Sequence, residues 1–327
     1  MDKRAGDVLL YISRADVENS DVSMSEIITT VERVLKEKGD GKTEMPPKPG
    51  IHTRTDAFIH AMPAYISSME AAGMKWVSGY PQNQIKGLPY ISGLLILNDP
   101  ETGFPKAVMD CTWITAKRTG AATAVAAKYL ANKDSSTVGI VACGVQGKSN
   151  LEALSCLFPI KKVNAYDIRP ERATNFATEM SKRLNVEIEI VKAVSDAVRK
   201  MDIVVTSGPV LKQPQPTIEA GWLSEGAFAG LLDFDCYWKP ETFREVAKII
   251  TDDVAQMSYY RGQGYFRNAP EPHADLGEIV AGIKPGRNSD NERTMTINLG
   301  LGIEDIATAL LVYDKAREKG IGVELSL

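Results

Sequence analysis

Residues 137–154 read TVGIVACGVQGKSNLEAL, a β-branched strand that meets a helix at two glycines. Gly144 and Gly147 occupy the second and third glycine positions of the G-x-G-x-x-G turn that holds a dinucleotide pyrophosphate, and Ala142 stands at the first. In such a turn the backbone of Gly144 approaches the pyrophosphate and Gly147 lets helix and strand pack closely. The free N–H groups at the helix start, around Val145 and Gln146, face the phosphates. Alanine can serve at position 142 if its φ stays negative. Asp167 closes the next apolar run, VNAYD, twenty residues beyond Gly147. A carboxylate there accepts hydrogen bonds from the adenine-ribose hydroxyls and repels a 2′-phosphate. Turn and carboxylate together predict NAD, and Arg169 two residues later leaves NADP open. The structural alternative for Asp167 is a cap on the helix that starts at Pro170.

The elements that must position these residues follow from the pattern around them. With 327 residues the chain has room for two domains, and its 44% hydrophobic and 24% charged residues suit a globular protein. A net charge of −4 gives no basic field for nucleic acid or an anionic membrane. Four scattered cysteines without a CxxC pair, and three scattered histidines, predict neither a zinc site nor a disulfide framework. MDKRAGDVLLYISRADVE has no long apolar run after its basic residues, and no stretch is apolar enough to span a membrane. The expectation is a cytoplasmic protein with reduced thiols and no metal.

Up to about residue 113 the reading is α+β. LLYI is a strand, and MSEIITTVERVLKEKGDG a helix burying Ile27, Ile28, Val31 and Val34 and ended by Gly39. Four apolar runs follow without helices between them (AFIHAMPAYI, MKWVSGY, ISGLLILND and KAVMDC), which predicts an antiparallel or mixed sheet. TWITAKRTGAATAVAAKYLA then reads as a helix with Thr112 as its cap, after which strands and helices alternate as in a doubly wound parallel sheet. The predicted class is α/β, a Rossmann domain at 114–308 plus an α+β substrate and dimerisation domain at 1–113. The C-terminal helix, 309–327, packs back on the latter.

The segments AAGMKWVSGYPQN, GLPYISGLLILNDPETGFPKAVMDCTWITAKRTGAATAVAAKYLA, GIVACGVQGKSNLEAL and NLGLGIEDIATALLVY resemble, in this order, the ornithine cyclodeaminase/mu-crystallin family. The family includes archaeal-type alanine dehydrogenases, ketimine reductases and opine-type dehydrogenases. The resemblance implies a homodimer and hydride transfer between nicotinamide and the α-carbon of an amino acid or imine. It assigns Lys75 to the substrate carboxylate, with a role in proton transfer, and places Arg118 between substrate and cofactor. Lys48, in MPPKPG, falls where the family has arginine, and cannot make the same bidentate pair. In LLDFDCYWKPE, Asp235 precedes Lys239 by four residues and Glu241 by six, as the family's acid/base carboxylate does, with Asp233 as its competitor. The resemblance also puts Thr206, Ser207, Lys239 and Asn298 on the cofactor, together with Tyr90, where the family has threonine. His60 reads as a half-buried structural residue.

These readings predict an NAD-dependent amino-acid dehydrogenase or imine reductase acting at a C–N bond. Two alternatives stand beside it. One is a cyclodeaminase that releases ammonia and uses NAD catalytically; the other is a non-catalytic mu-crystallin-like binder of NAD(P)H or a small ligand. Retention of Lys75, Arg118 and Asp235 together argues for an enzyme, because a pure binder has no use for all three.

Overall fold

The computed structural model describes residues 8–327; the first seven, which begin the stretch read as carrying no signal peptide, lie outside the described residues. The chain divides into two units, one running to Arg118 and resuming over Gly300–Leu327, the other Thr119–Leu299. The expected limits were 114 and 308. Arg118, in the helix after the sheet, bonds to Glu304 and Asp305 at the start of the last long helix, and all three lie in the first unit.

The first unit is a mixed sheet with helices on one face. Its strands are β1 (Val8–Ile12), β2 (Thr43–Glu44), β3 (Gly50–Ile51), β4 (Phe58–Ile66), β5 (Ala71–Gly79), β6 (Ile91–Asn98), β7 (Pro105–Asp110) and, at the chain end, β16 (Val323–Ser326). Their order is β16-β1-β7-β6-β5-β4-β2, with β3 beside β4. The four expected apolar runs form the antiparallel meander β4 to β7, while β1 joins β7 in parallel and β16 closes that edge antiparallel to β1. Period-two alternation buries His60, Met62, Ala64 and Ile66 of β4 and Lys75 and Val77 of β5. The short α1 (Arg14–Glu18) precedes α2 (Met24–Gly39), which starts with a Ser23–Glu26 capping box and buries Ile27, Ile28, Val31, Val34 and Leu35. Each such side chain contributes roughly 1.5–3 kcal/mol on burial, more than the intrinsic propensity of a helix this length. Asp40, one residue past the expected Gly39, is its C-cap. The division falls within α3 (Thr112–Leu130); its first N–H is held by Asp110, at 2.8 Å, in place of the expected cap Thr112.

The second unit is a parallel sheet in the order β10-β9-β8-β11-β12-β15-β13-β14. The strands are β8 (Thr137–Val141), β9 (Lys162–Tyr166), β10 (Glu187–Ile190), β11 (Ile203–Thr206), β12 (Phe228–Leu231), β13 (Lys248–Thr251), β14 (Ala274–Asp275) and β15 (Thr294–Ile297). Between them lie α4 (Val145–Leu157), α5 (Pro170–Leu184), α6 (Val194–Val198), α7 (Val254–Gly262) and α8 (Leu276–Val280). Strands β8, β11, β12, β13 and β15 are buried almost end to end, as a parallel sheet covered on both faces demands. From β8 the strand order runs to β9 on one side and to β11 on the other. The carboxyl ends of β8 and β11 therefore form the switch point at which open α/β sheets bind ligands.

Candidate functional site

In the second unit the glycine turn leaves β8 at that switch point. Ala142 adopts φ +77, which overturns the expected negative φ. Both of its backbone groups are tied to neighbouring strands: its N–H donates to Tyr166 O at 2.8 Å, and its carbonyl accepts from the Ser207 hydroxyl at 2.9 Å. These bonds hold an alanine in a conformation costing about 1–2 kcal/mol relative to the right-handed region. A Cβ on Gly147 would press to 2.7 Å from Ala142 O and 3.1 Å from Ile140, so the third glycine permits close helix–strand packing, as read. Gly144 is the N-cap of α4, without a side-chain cap, and a Cβ there would meet nothing within 4 Å. Val145 is exposed and Gln146 half-buried beside it. An uncapped helix start opening onto free space fits a pyrophosphate.

Asp167 follows β9 with both carboxylate oxygens held, Oδ2 by the Cys143 N–H at 2.8 Å and Oδ1 by the Arg169 N–H at 2.9 Å. Helix α5 takes Arg169 as N-cap with no side-chain bond, so Asp167 is not its cap. The pinned carboxylate retains lone pairs for a ribose diol, and the residues present fit NAD.

Farther along, Thr206, expected on the cofactor, is instead fully buried with its hydroxyl turned inward, donating to Asp233 Oδ1 at 2.9 Å, while Ser207 bonds to the glycine turn. Asn298 is buried after β15, with its side chain on Thr123 and Thr296 at 3.3 and 2.8 Å. Lys239, expected on the cofactor, pairs with Glu219 at 2.6 Å on a part-exposed surface. Asp235 lies at the wall of a cavity of about 280 Å³ formed with Leu211–Pro214 and Gly264–Asn268. Burial raises its carboxyl above the usual range, against the pull of the Asn268 and Ala269 N–H groups.

The first unit gathers the residues expected on the substrate side. Helix α9 (Gly302–Lys319) packs on β4 and β5 and buries its whole first turn, including Glu304 and Asp305. Asp305 Oδ2 pairs with Lys75 Nζ at 2.6 Å and its Oδ1 with Arg118 Nε at 2.9 Å; Glu304 takes Arg118 Nη1, also at 2.9 Å. Lys75 Nζ reaches Thr115 Oγ1 at 3.4 Å, and burial pulls its ammonium below the usual lysine range, opposed by Asp305. Lys48, 7% exposed, donates to Gly300 O at 3.2 Å. Gly300 has φ +81 and a Cβ there would run into the Arg118 guanidinium, so glycine is required twice over. His60 is buried and stacked on Phe58, 4.2 Å between ring centroids. Burial first, then Lys48, His52 and Lys75, hold its imidazole down to about 3. Tyr90 is half-buried just before β6, its carbonyl accepting from the Tyr80 N–H at 2.9 Å.

Lys48, Lys75 and Arg118 are thus buried together with Glu304, Asp305 and a neutral imidazole, a cation-rich lining chemically suited to an anionic ligand. Sequence reasoning gave no role to Glu304 and Asp305, although adjacent acids in GIEDIATAL, an otherwise apolar helix start, were the available signal. Among the described residues no cluster of His, Cys, Asp and Glu could hold a metal, and no helix is long and apolar enough to cross a membrane.

The sequence profile of the ornithine cyclodeaminase/mu-crystallin family matches residues 9–320. The chain is 38% identical over 326 residues to the alanine dehydrogenase of Archaeoglobus fulgidus, covering 97% of this chain and 98% of that protein. It resembles the Thermococcus litoralis Δ1-pyrroline-2-carboxylate reductase, solved with NADH and L-proline, at TM-score 0.88 and 39% identity over 96% of this chain and 99% of the other. An archaeal alanine dehydrogenase dimer with bound NAD gives TM-score 0.87 and 37% identity over 97% and 99% of the two chains. The chain belongs to the ornithine cyclodeaminase/mu-crystallin family.

Proposed function

We propose that this protein is an NAD-dependent oxidoreductase that acts at the C–N bond of an L-amino acid or its imine. The observation that carries the substrate class is the buried cluster of Lys48, Lys75 and Arg118 with Glu304 and Asp305. These cations suit an α-carboxylate, and Arg118 is already held in place by two acids, so its guanidinium needs little further ordering. The relatives named above are an alanine dehydrogenase and a pyrroline-2-carboxylate reductase, the one named for an amino acid and the other for a cyclic imine acid and solved with NADH and L-proline.

Bound NAD supplies the hydride acceptor, and NADH the donor. Gly144, Val145, Gln146 and Ser207 hold its pyrophosphate side, and Asp167 takes the adenine-ribose hydroxyls and disfavours a 2′-phosphate. Lys75 orients the substrate carboxylate. Asp235 accepts the proton from the substrate ammonium in the oxidative direction and returns it in the reductive one; burial, by raising its carboxyl, makes it a stronger base than an exposed aspartate.

The protein acts as a homodimer. On the sheet face opposite α2 and α9, Tyr11, Tyr65, Trp76 and Leu94 are 37–47% exposed, and Trp76 and Leu94 are cross-strand partners. An apolar sheet face of this kind suits a second copy of the chain. Four free cysteines suit the reducing cytoplasm as its location.

One experiment separates the reading from its rivals. Purified protein is given NAD below the substrate concentration and a panel of L-proline, L-alanine, L-ornithine and L-lysine, with NADH and ammonia followed together; the reverse direction is run on NADH with Δ1-pyrroline-2-carboxylate and with pyruvate plus ammonium. NADH produced in proportion to product, or consumed by the imine, is the expected result. Ammonia exceeding total NAD without NADH would overturn it in favour of cyclodeamination, and silence throughout in favour of a binding protein.

A further inference from the structure

The turn after β12 carries two aspartates in different settings. Asp233 is fully buried and Asp235 lies at a cavity wall, with Phe234 between them at φ +63. A bulky residue in the left-handed region persists only where its surroundings impose it, and Phe234 is clamped by the rings of Tyr260, Tyr265 and Phe266. The inner aspartate is bound on one side only. Its Oδ1 accepts from Thr206 Oγ1 at 2.9 Å, and that same oxygen accepts from Trp238 Nε1 at 3.2 Å. Thr206 has one proton to give, so the chain of bonds runs in a single direction, from indole through hydroxyl to carboxyl. Asp233 Oδ2 is buried with no hydrogen-bond partner among the described residues. A carboxylate in that position would hold a charge against a dry, half-satisfied site, whereas the neutral acid avoids most of that cost. Burial accordingly pushes Asp233 up to about 7, Asp235 adding to the push, with the Thr206 hydroxyl and the Gly208 N–H opposing. On the same turn the Tyr237 phenol is held high by burial, with Asp233 and Asp167 adding.

We propose that Asp233 is a positioning residue for the reaction: through Thr206 and Trp238 it ties the carboxyl end of β11 to the turn bearing Asp235, and so holds the acid/base carboxylate at its cavity. This rests on the reading of Asp235 given above. The latch works while Asp233 is neutral; ionisation makes Oδ1 a better acceptor for Thr206 but puts charge on the buried, partnerless Oδ2, which draws in water or a new donor and rearranges the turn. Asp235 itself need not change protonation for activity to fall.

Four single variants, Asp233→Asn, Asp233→Ala, Thr206→Val and Asp235→Asn, and the double variant Asp233→Ala/Thr206→Val test this, each examined for NADH binding by fluorescence, for kcat and KM, and for pH dependence. Asparagine keeps the Oδ1 acceptor and is permanently neutral. Asp233→Asn therefore retains kcat within about threefold below pH 7, and the fall in kcat/KM that sets in above about pH 7 in the parent disappears. Asp233→Ala and Thr206→Val each lose at least about tenfold in kcat with NADH affinity unchanged, and the double variant is no worse than the poorer single one, since both cut the same link. Thr206→Val is close to isosteric and keeps the test alive if Asp233→Ala does not fold. Full kcat in Asp233→Ala and Thr206→Val beside an inactive Asp235→Asn overturns the proposal alone. So does an Asp233→Asn enzyme as impaired as Asp235→Asn, which would make Asp233 the proton carrier. An Asp235→Asn enzyme with full kcat overturns the parent reading and the proposal with it.

Discussion

Replacing Asp305 with asparagine preserves shape and removes one charge from the centre of the cation cluster. Asp305 is fully buried, with Lys75 Nζ at 2.6 Å on one oxygen and Arg118 Nε at 2.9 Å on the other. In the variant Lys48, Lys75 and Arg118 face Glu304 alone, and removing one partner of a buried ion pair costs about 3–5 kcal/mol. At about 2.1 cal/mol/K of unfolding entropy per residue, 327 residues translate this into a fall in Tm of about 4–7 °C. A second effect is functional. Lys75 already sits below the usual lysine range through burial, with Asp305 pulling upward. Its ammonium drops further in Asp305→Asn, and the alkaline limit of substrate binding moves to lower pH. Calorimetry on the parent, Asp305→Asn, Lys75→Met and the double variant gives the coupling, expected at about 1 kcal/mol or more. A Tm unchanged within about 1 °C, or strictly additive losses, would refute the argument that these charges hold one another in place.

Other predictions concern single positions. Asp235→Asn loses about 10²–10⁴ in kcat while NADH affinity, read by fluorescence titration, stays within twofold or so. Asp167→Ala raises the KM for NAD and shifts the NADP/NAD ratio of kcat/KM upward by about tenfold or more; an unchanged ratio would remove Asp167 from the ribose site. Ala142→Gly relieves the left-handed alanine at φ +77. After the added freedom of the unfolded glycine is subtracted, the net gain is about 0.5–1 kcal/mol, seen as roughly 1 °C in Tm. His60, held down to about 3 by burial, stays neutral in the folded protein, whereas the unfolded chain takes up its proton below about pH 6.5. Its contribution is thus complete above pH 6.5 and is lost as pH falls toward 3. His60→Phe should flatten the denaturant-measured stability slope there by up to about 1.4 kcal/mol per pH unit, and an identical slope counts against the burial argument.

Periodicity, turn residues and motif order were enough to find most of the elements. The alternation in AFIHAMPAYI, MKWVSGY, ISGLLILND and KAVMDC forced an antiparallel meander because one buried face requires a period of two. The strand–glycine–helix spacing around Gly144 and the carboxylate closing the next strand at Asp167 were legible because both depend on local geometry. The short C-terminal strand VELS, which pairs with β1 at the other end of the chain, had no such local signal. Nor could the sequence tell that Ala142 would take a positive φ, because the bonds that impose it come from Tyr166 and Ser207 on neighbouring strands. The same holds for charge. Lys75, Arg118 and Lys48 are readable as cations, but that Glu304 and Asp305 lie among them, and that Asp233 is sealed away while Asp235 meets a cavity, is decided by packing. Residue type sets which charges and hydrogen bonds are available. Only the tertiary structure sets how much water each group loses and which partner replaces it, and that difference governs its chemistry.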